Sequence, residues 1–169
     1  MAKRKFSTQL AGQIGEALVV AELGRRGIVA TSFAGNVPDI DLLAYLDGKT
    51  LPLQVKAWRS GSVHLNAARF LKITMEETLQ KIHGMDTELD PELIYVFVQI
   101  GERLGEDSFF ILTQGILQKL VHGHHSAYLA KHKGVRPRNP ESTHIGLSLH
   151  DLKAHQDGWR VIEARLLNA

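Results

Sequence analysis

Residues 40–58 read IDLLAYLDGKTLPLQVKAW, two apolar runs on either side of Asp47-Gly48. Asp-Gly tolerates the positive φ angles that a two-residue type I′ turn demands, so the runs over 40–46 and 51–58 are expected as antiparallel neighbours. With Asp47 and Gly48 as the turn, Leu46 faces Lys49, and counting back in register sets Asp41 opposite Gln54. Lys56 lies two residues beyond Gln54 and therefore on the same face of its strand. Pro52 falls opposite Leu43, at a pair that exchanges no hydrogen bonds within the hairpin, so its missing donor is no obstacle. A carboxylate, an amide and an ammonium group thus converge at the open end of one hairpin.

On the N-terminal side the spacing predicts a helix over 12–27. Ile14, Ala17, Leu18 and Ala21 form one apolar face, and Val19, Val20 and Leu23 widen it, so the helix is expected to be sandwiched. Gly27 suits its C-terminal cap, and 28–30 starts a short strand. Glu16 has Val19 and Val20 as its i+3 and i+4 neighbours, which puts a carboxylate on an apolar flank, costly unless it has a partner. A divalent cation near Asp41 would supply one. On the C-terminal side the pattern predicts a strand at 62–66, a helix at 74–83 and a loop at 86–91. Two strands at 93–100 and 108–113, rich in Val, Ile, Phe and Tyr, come next, followed by a helix from Gln114 to Lys131. Gly134, Pro137, Asn139 and Pro140 make 134–143 a loop; a strand at 145–149 and a helix from about His150 complete the chain. The class is α/β, a single domain over 1–169 with a mixed sheet.

The succession Gly12-Gln13-Ile14-Gly15-Glu16, Pro38-Asp39-Ile40-Asp41-Leu42-Leu43-Ala44 and Leu53-Gln54-Val55-Lys56-Ala57 resembles the PD-(D/E)xK nuclease superfamily. The likeness is greatest to the branches that contain archaeal Holliday junction resolvases and Mrr-like restriction endonucleases. It covers about residues 12–57, with the strands at 93–100 and 108–113 in the expected order. It implies a restriction-endonuclease-like core, a mixed central β-sheet flanked by helices, over 12–113, with 114–169 as a basic helix-and-loop C-terminal extension. It further implies Asp41 as the central metal ligand and Glu16 as a second, direct or through water. Gln54 stands where the family usually has an acid and would ligate through its neutral carbonyl, as in the Gln variant of Mrr-like members, at a cost in metal affinity. Asp39 occupies the literal Pro-Asp position; Asp41 fits the distance to Lys56 better, and Asp39 stays a candidate to share the metal. Mg²⁺ suits such donors, with Mn²⁺ in its place. Lys56 would orient or help deprotonate the attacking water. The activity implied is endonucleolytic hydrolysis of DNA phosphodiesters, on duplex or branched substrates, with a homodimer as a possible assembly. Gln54 also motivates an alternative, a nuclease-fold module that binds nucleic acid or a partner protein without cutting.

The 169 residues contain no Cys, which excludes disulfides and Cys-based zinc sites. No apolar run approaches the roughly 18–20 residues of a membrane span, and the basic start Met1-Ala2-Lys3-Arg4-Lys5 leads into no apolar signal core, so a cytoplasmic protein without membrane contact is expected. The net charge of +2 hides an asymmetry: residues 1–114 hold 12 Lys/Arg against 14 Asp/Glu, and 115–169 hold 8 against 4. Lys131, Lys133, Arg136 and Arg138 form the densest basic piece, a phosphate track or a solvated loop. Trp58 and Arg59, next to Lys56, either touch nucleic acid or, for Trp58, pack the next layer; Asn66 and Arg69 are weaker candidates of the same kind. Gly48-Lys49-Thr50 is not a P-loop, because Leu43 stands where that motif needs Gly. His122, His124 and His125 are read as a helix end facing solvent rather than as metal ligands.

Overall fold

A computed structural model describes residues 2–33, 38–103 and 105–168. The first helix, α1, runs Ala2–Arg25 and so starts well before the predicted residue 12. It ends as expected at Gly27, whose φ of +76° puts it in the left-handed region. The amide of Ile28 bonds the Leu23 carbonyl and that of Gly27 bonds Gly24, each at 3.0 Å, which together make a Schellman cap. Leu23 and Ile28, the two ends of that motif, are both buried. Gly27→Ala is expected to cost about 1–2 kcal/mol, since only Gly enters this region without a Cβ clash. Urea denaturation measures it.

Strands β1 (Val29–Ser32), β2 (Leu42–Leu46) and β3 (Lys49–Trp58) follow as an antiparallel meander. The turn between β2 and β3 has φ of +47° at Asp47 and +84° at Gly48, both positive as a type I′ turn requires. Leu46 pairs with Lys49 and Leu43 with Pro52, the register read from the turn. The last strands of this sheet are β7 (Ile94–Gln99) and β8 (Ser108–Thr113); β7 pairs parallel to β3 and antiparallel to β8, giving the order β1-β2-β3-β7-β8. Between β3 and β7 the chain forms β4 (Val63–Asn66), a 3-10 turn at Ala67–Arg69, β5 (Leu71–Glu76) and β6 (Leu79–Met85). The predicted helix over 74–83 is therefore corrected to an antiparallel hairpin, β5 with β6, turning at Glu77, whose φ is +54°. Met-Glu-Glu and Leu-Gln-Lys favour helix locally, but the alternating pattern puts Ile73 and Ile82 onto the core and buries Gln80, and packing overrides weak propensity.

Helix α2 occupies Gln114–Lys131, the predicted span, capped by Thr113 Oγ1 accepting from the Ile116 amide. Strand β9 (His144–Leu147) pairs with β4. It stops short of the predicted residue 149 because Ser148 starts a helix, its amide and hydroxyl both bonded to Asp151 Oδ2 at 2.7 and 2.6 Å. The single helix expected from residue 150 is two, α3 (Leu149–Leu152) and α4 (Arg160–Asn168), divided by a 3-10 turn and by Asp157 at positive φ.

Strict alternation along the central strands builds two apolar layers. Leu53, Val55, Ile94, Val96, Val98, Phe109 and Ile111 face α1 and α4, meeting Val19, Leu23, Ile162 and Leu166. Trp58, Tyr95, Phe97, Phe110 and Leu112 face the other way, toward α2 and the two small ribbons. The result is a mixed sheet flanked by helices, and the segment after 114 is built into both layers. No helix among the described residues is long and apolar enough to cross a membrane.

Candidate active site

Strand β2 starts at Leu42 while β3 continues to Trp58, so beyond Leu53 one edge of β3 has no ladder partner from β2. The amide of Val55 points to that side, and a buried amide needs an acceptor. Asp41 supplies it: its own amide still bonds the Leu53 carbonyl at 2.9 Å, and its Oδ2 accepts from the Val55 amide at 2.8 Å. The same oxygen accepts from Nε2 of Gln54, which is 4% exposed. The carboxylate is thus fixed by backbone and side chain together. Its Oδ1 accepts no hydrogen bond among the described residues.

Gln54 and Lys56 share the face predicted for them, and the parallel register sets Gln54 beside Tyr95 and Lys56 beside Phe97. This apolar floor gives Lys56 its character. Burial lowers the ammonium's pKa from the ordinary 10.5; Asp41, Asp39 and Glu16 pull it back up, and Arg69 lowers it further. Tyr95 went unrecognised in the sequence. Burial raises its pKa to about 12, so it stays a donor, and its hydroxyl bonds Gln114 Oε1 at 3.1 Å. Gln114 in turn donates to the Asp90 carbonyl at 2.7 Å, which ties the floor to the start of α2.

Glu16 joins from α1, on the opposite layer. A Cβ on its neighbour Gly15 would lie 2.4 Å from Ala57 Cβ, so only glycine lets the helix backbone lie this close to β3. Glu16 is half-buried, and its pKa is raised from 4.5 first by burial and then by the charge of Asp41, with Lys56 offsetting part of the effect. Asp41 and Gln54 are thus in direct contact, and the charges of Glu16, Asp41 and Lys56 act on one another. Asp39 also acts on Lys56, but its carboxylate is engaged elsewhere. Its backbone has φ of +64°, and its carboxylate pairs with Arg69 Nη2 at 2.5 Å. Both side chains are more than half exposed, so the pair contributes at most about 1 kcal/mol to stability.

Among the described residues no three Asp, Glu or His side chains gather as a ready-made metal cage. The donors here are two carboxylates and an amide, a set that suits a hard cation keeping several of its waters. The raised pKa of Glu16 comes first from burial and then from Asp41, and a cation beside it would favour the ionised carboxylate. Gln54 would have to turn its amide to present oxygen, since its nitrogen now faces Asp41.

A solved bacterial homing endonuclease superposes on this chain with a TM-score of 0.50, covering 94% of it and 95% of the other chain at 14% identity. The two proteins share a fold. No family model matches the sequence, and no curated protein matches it either. A cleft of about 350 Å³ opens beside Lys56, lined among others by Ala11, Arg59, Ser60, Ser62 and His64. Arg59 is exposed there. Trp58 touches the cleft but is 7% exposed; its indole packs against Phe110 and donates to the Gly61 carbonyl at 3.2 Å, the packing alternative of the two expected.

The four basic residues of 131–138 divide. Lys131, Lys133 and Arg138 are exposed. Arg136 is engaged, donating to the His144 carbonyl at 2.7 Å and lying over the Tyr128 ring at 4.6 Å. The reading of His122, His124 and His125 as a solvent-facing helix end is corrected. They lie mid-helix, and His125 is fully buried, bonded through Nε2 to Gln80 Oε1 at 2.9 Å. Gln80 also donates to the Pro140 and Ser142 carbonyls, so the cluster braces the loop over 134–143.

Proposed function

We propose that this protein is a divalent-metal-dependent endonuclease that hydrolyses DNA phosphodiester bonds. The observation that carries the reading is Asp41 locked by the Val55 amide beside Gln54 and Lys56, with Glu16 held half-buried within reach of their charges. The PD-(D/E)xK likeness of residues 12–57 and the fold shared with a homing endonuclease support it. Glu16, Asp41 and the carbonyl of Gln54 would hold Mg²⁺ or Mn²⁺. When bound, the ion supplies charge stabilisation at the phosphate and acidifies a water molecule. Asp41, fixed by its two hydrogen bonds, sets the position of the negative pole. Lys56, partly stripped of water, presents its ammonium where charge develops on the phosphate oxygens, an interaction that strengthens in a low-dielectric site. Its lowered pKa also eases proton exchange with the attacking water.

Incubation of supercoiled, linear and branched DNA with the protein should give cleavage that requires Mg²⁺ or Mn²⁺ and is lost in Asp41→Ala. Equal cleavage by wild type and Asp41→Ala ends the proposal.

The titration of Glu16 gives a second expected result. Metal binding needs the ionised carboxylate, and the raised pKa means that protons compete for it above the ordinary glutamate range. As pH falls through that raised value, Mn²⁺ affinity should drop by up to about tenfold per unit. Above it, affinity should level off. Calorimetric titrations between pH 4.5 and 8 measure this, and an affinity independent of pH across that range contradicts it.

A second reading has one observation in its favour. Gln54 is already satisfied as a donor to Asp41, so the pocket is stable as it stands, as a module that binds DNA without cutting it would need. Tight Mn²⁺ binding that supports turnover decides against this.

A further inference from the structure

Asp39 and Arg69 form an exposed ion pair beside the candidate site, two residues before Asp41 in the chain, and such a pair contributes at most about 1 kcal/mol to the fold. Asp39 is held in a left-handed backbone conformation, and its carboxylate lies 2.5 Å from Arg69 Nη2. Arg69 ends the 3-10 turn of Ala67–Arg69, and that turn is fastened from several sides. Asn66 Oδ1 accepts from the Ala68 amide at 3.0 Å and from Thr143 Oγ1 at 2.5 Å, and the Ala67 amide donates to the Thr143 carbonyl at 2.8 Å. Ala67 is fully buried. The base of Arg69 is therefore rigid and its head is solvent-facing. A guanidinium has five N–H donors, and Asp39 engages one nitrogen; the remaining donors meet no acceptor among the described residues. Its partner Asp39 stands two residues before Asp41, which sets the guanidinium beside the candidate site, and the guanidinium charge acts on both Lys56 and Tyr95.

A guanidinium braced by a carboxylate that leaves most of its donors unused, beside a site that already holds an ammonium, forms a receptor for a doubly coordinated oxyanion. We propose that Arg69, positioned by Asp39, is a phosphate subsite that grips the DNA backbone next to Lys56, and that Asp39 is a positioning residue rather than a metal ligand. This rests on the nuclease reading for its substrate, but its geometry is independent of the metal donors. The thread from Arg69 through Asn66 and Thr143 also reaches the loop that carries Arg138, so the same turn links the site to the exposed basic segment.

The test uses the full chain as wild type, Arg69→Ala, Arg69→Lys, Asp39→Asn and the Asp39→Asn/Arg69→Ala double variant. Binding of a DNA duplex is measured in Ca²⁺, which is expected to hold DNA without cleavage, across a series of salt concentrations; Mn²⁺ affinity is measured separately by calorimetry. Arg69→Ala should weaken DNA binding about tenfold and lower the salt slope by about one, the signature of one lost phosphate contact. Arg69→Lys should keep the slope while losing part of the affinity. Asp39→Asn should weaken binding less than Arg69→Ala, the double variant should be no worse than Arg69→Ala alone, and Mn²⁺ affinity should stay within about threefold in all four. A tenfold loss of Mn²⁺ affinity in Asp39→Asn, or an unchanged DNA affinity and salt slope in Arg69→Ala, overturns the proposal. A wild type that binds DNA through Arg69 but cuts nothing would support the subsite and end the hydrolytic reading, so the two can fail separately.

Discussion

Replacing Lys56 by methionine is expected to lower metal-dependent DNA cleavage by about 10²- to 10³-fold, the usual effect of removing one preorganised charge at a developing oxyanion. Stability should change little. The ammonium is held against burial, and a methionine of similar length removes that cost. It also removes a positive charge that acts on Asp41 and Glu16, so the two effects oppose each other. A change in unfolding free energy within about 1 kcal/mol, alongside the loss of activity, distinguishes a catalytic lysine from a structural one. An active Lys56→Met protein, or an inactive one that has also unfolded, contradicts this assignment.

The second large effect concerns Gly15. Because its added Cβ would lie 2.4 Å from Ala57 Cβ, an atom with no side-chain torsion to swing it away, Gly15→Val should force α1 off β3. Overpacking of this kind costs about 1–3 kcal/mol. The displacement falls on the residue next to Glu16, so Mn²⁺ affinity should fall as well, although residue 15 offers no ligand. Gly24 in the same helix makes the contrast. A Cβ there meets nothing within 4 Å, and Gly24→Ala should stabilise the protein by about 0.5–1 kcal/mol through helix propensity alone, with cleavage unchanged. Opposite signs for two glycines of one helix, read by denaturation, test whether the close approach of α1 is what places Glu16.

Much of the site was legible because it is local. Asp47-Gly48 specifies its turn type, the turn specifies the register, and the register carries Asp41, Gln54 and Lys56 to one end. The span of α2 was legible for a similar reason, an apolar stripe bounded by Thr113 and Gly134. What was missed depends on pairing between distant segments. The parallel register of β3 with β7 sets Tyr95 beside Gln54, and no turn encodes it. Reading 74–83 as a helix hid Gln80 from view, and with it the buried partner of His125, so a histidine that braces a loop looked like a solvated one. Arg69 stood out in the sequence only as a weaker candidate for touching nucleic acid, because it owes its place to a 3-10 turn fastened by Thr143, a contact from the far end of the chain. Side chains whose partners lie dozens of residues away leave no periodic trace.

The central claim is that Glu16, Asp41 and Gln54 surround a hard cation within reach of Lys56. Anomalous scattering at the manganese edge from crystals grown with excess Mn²⁺ tests it most directly. The expected result is one strong peak at roughly 2.0–2.3 Å from carboxylate oxygens of Asp41 and, directly or through a water, Glu16, with the Lys56 ammonium directed toward the same pocket. A pocket without a peak under those conditions, and Lys56 turned away from it, would contradict the account.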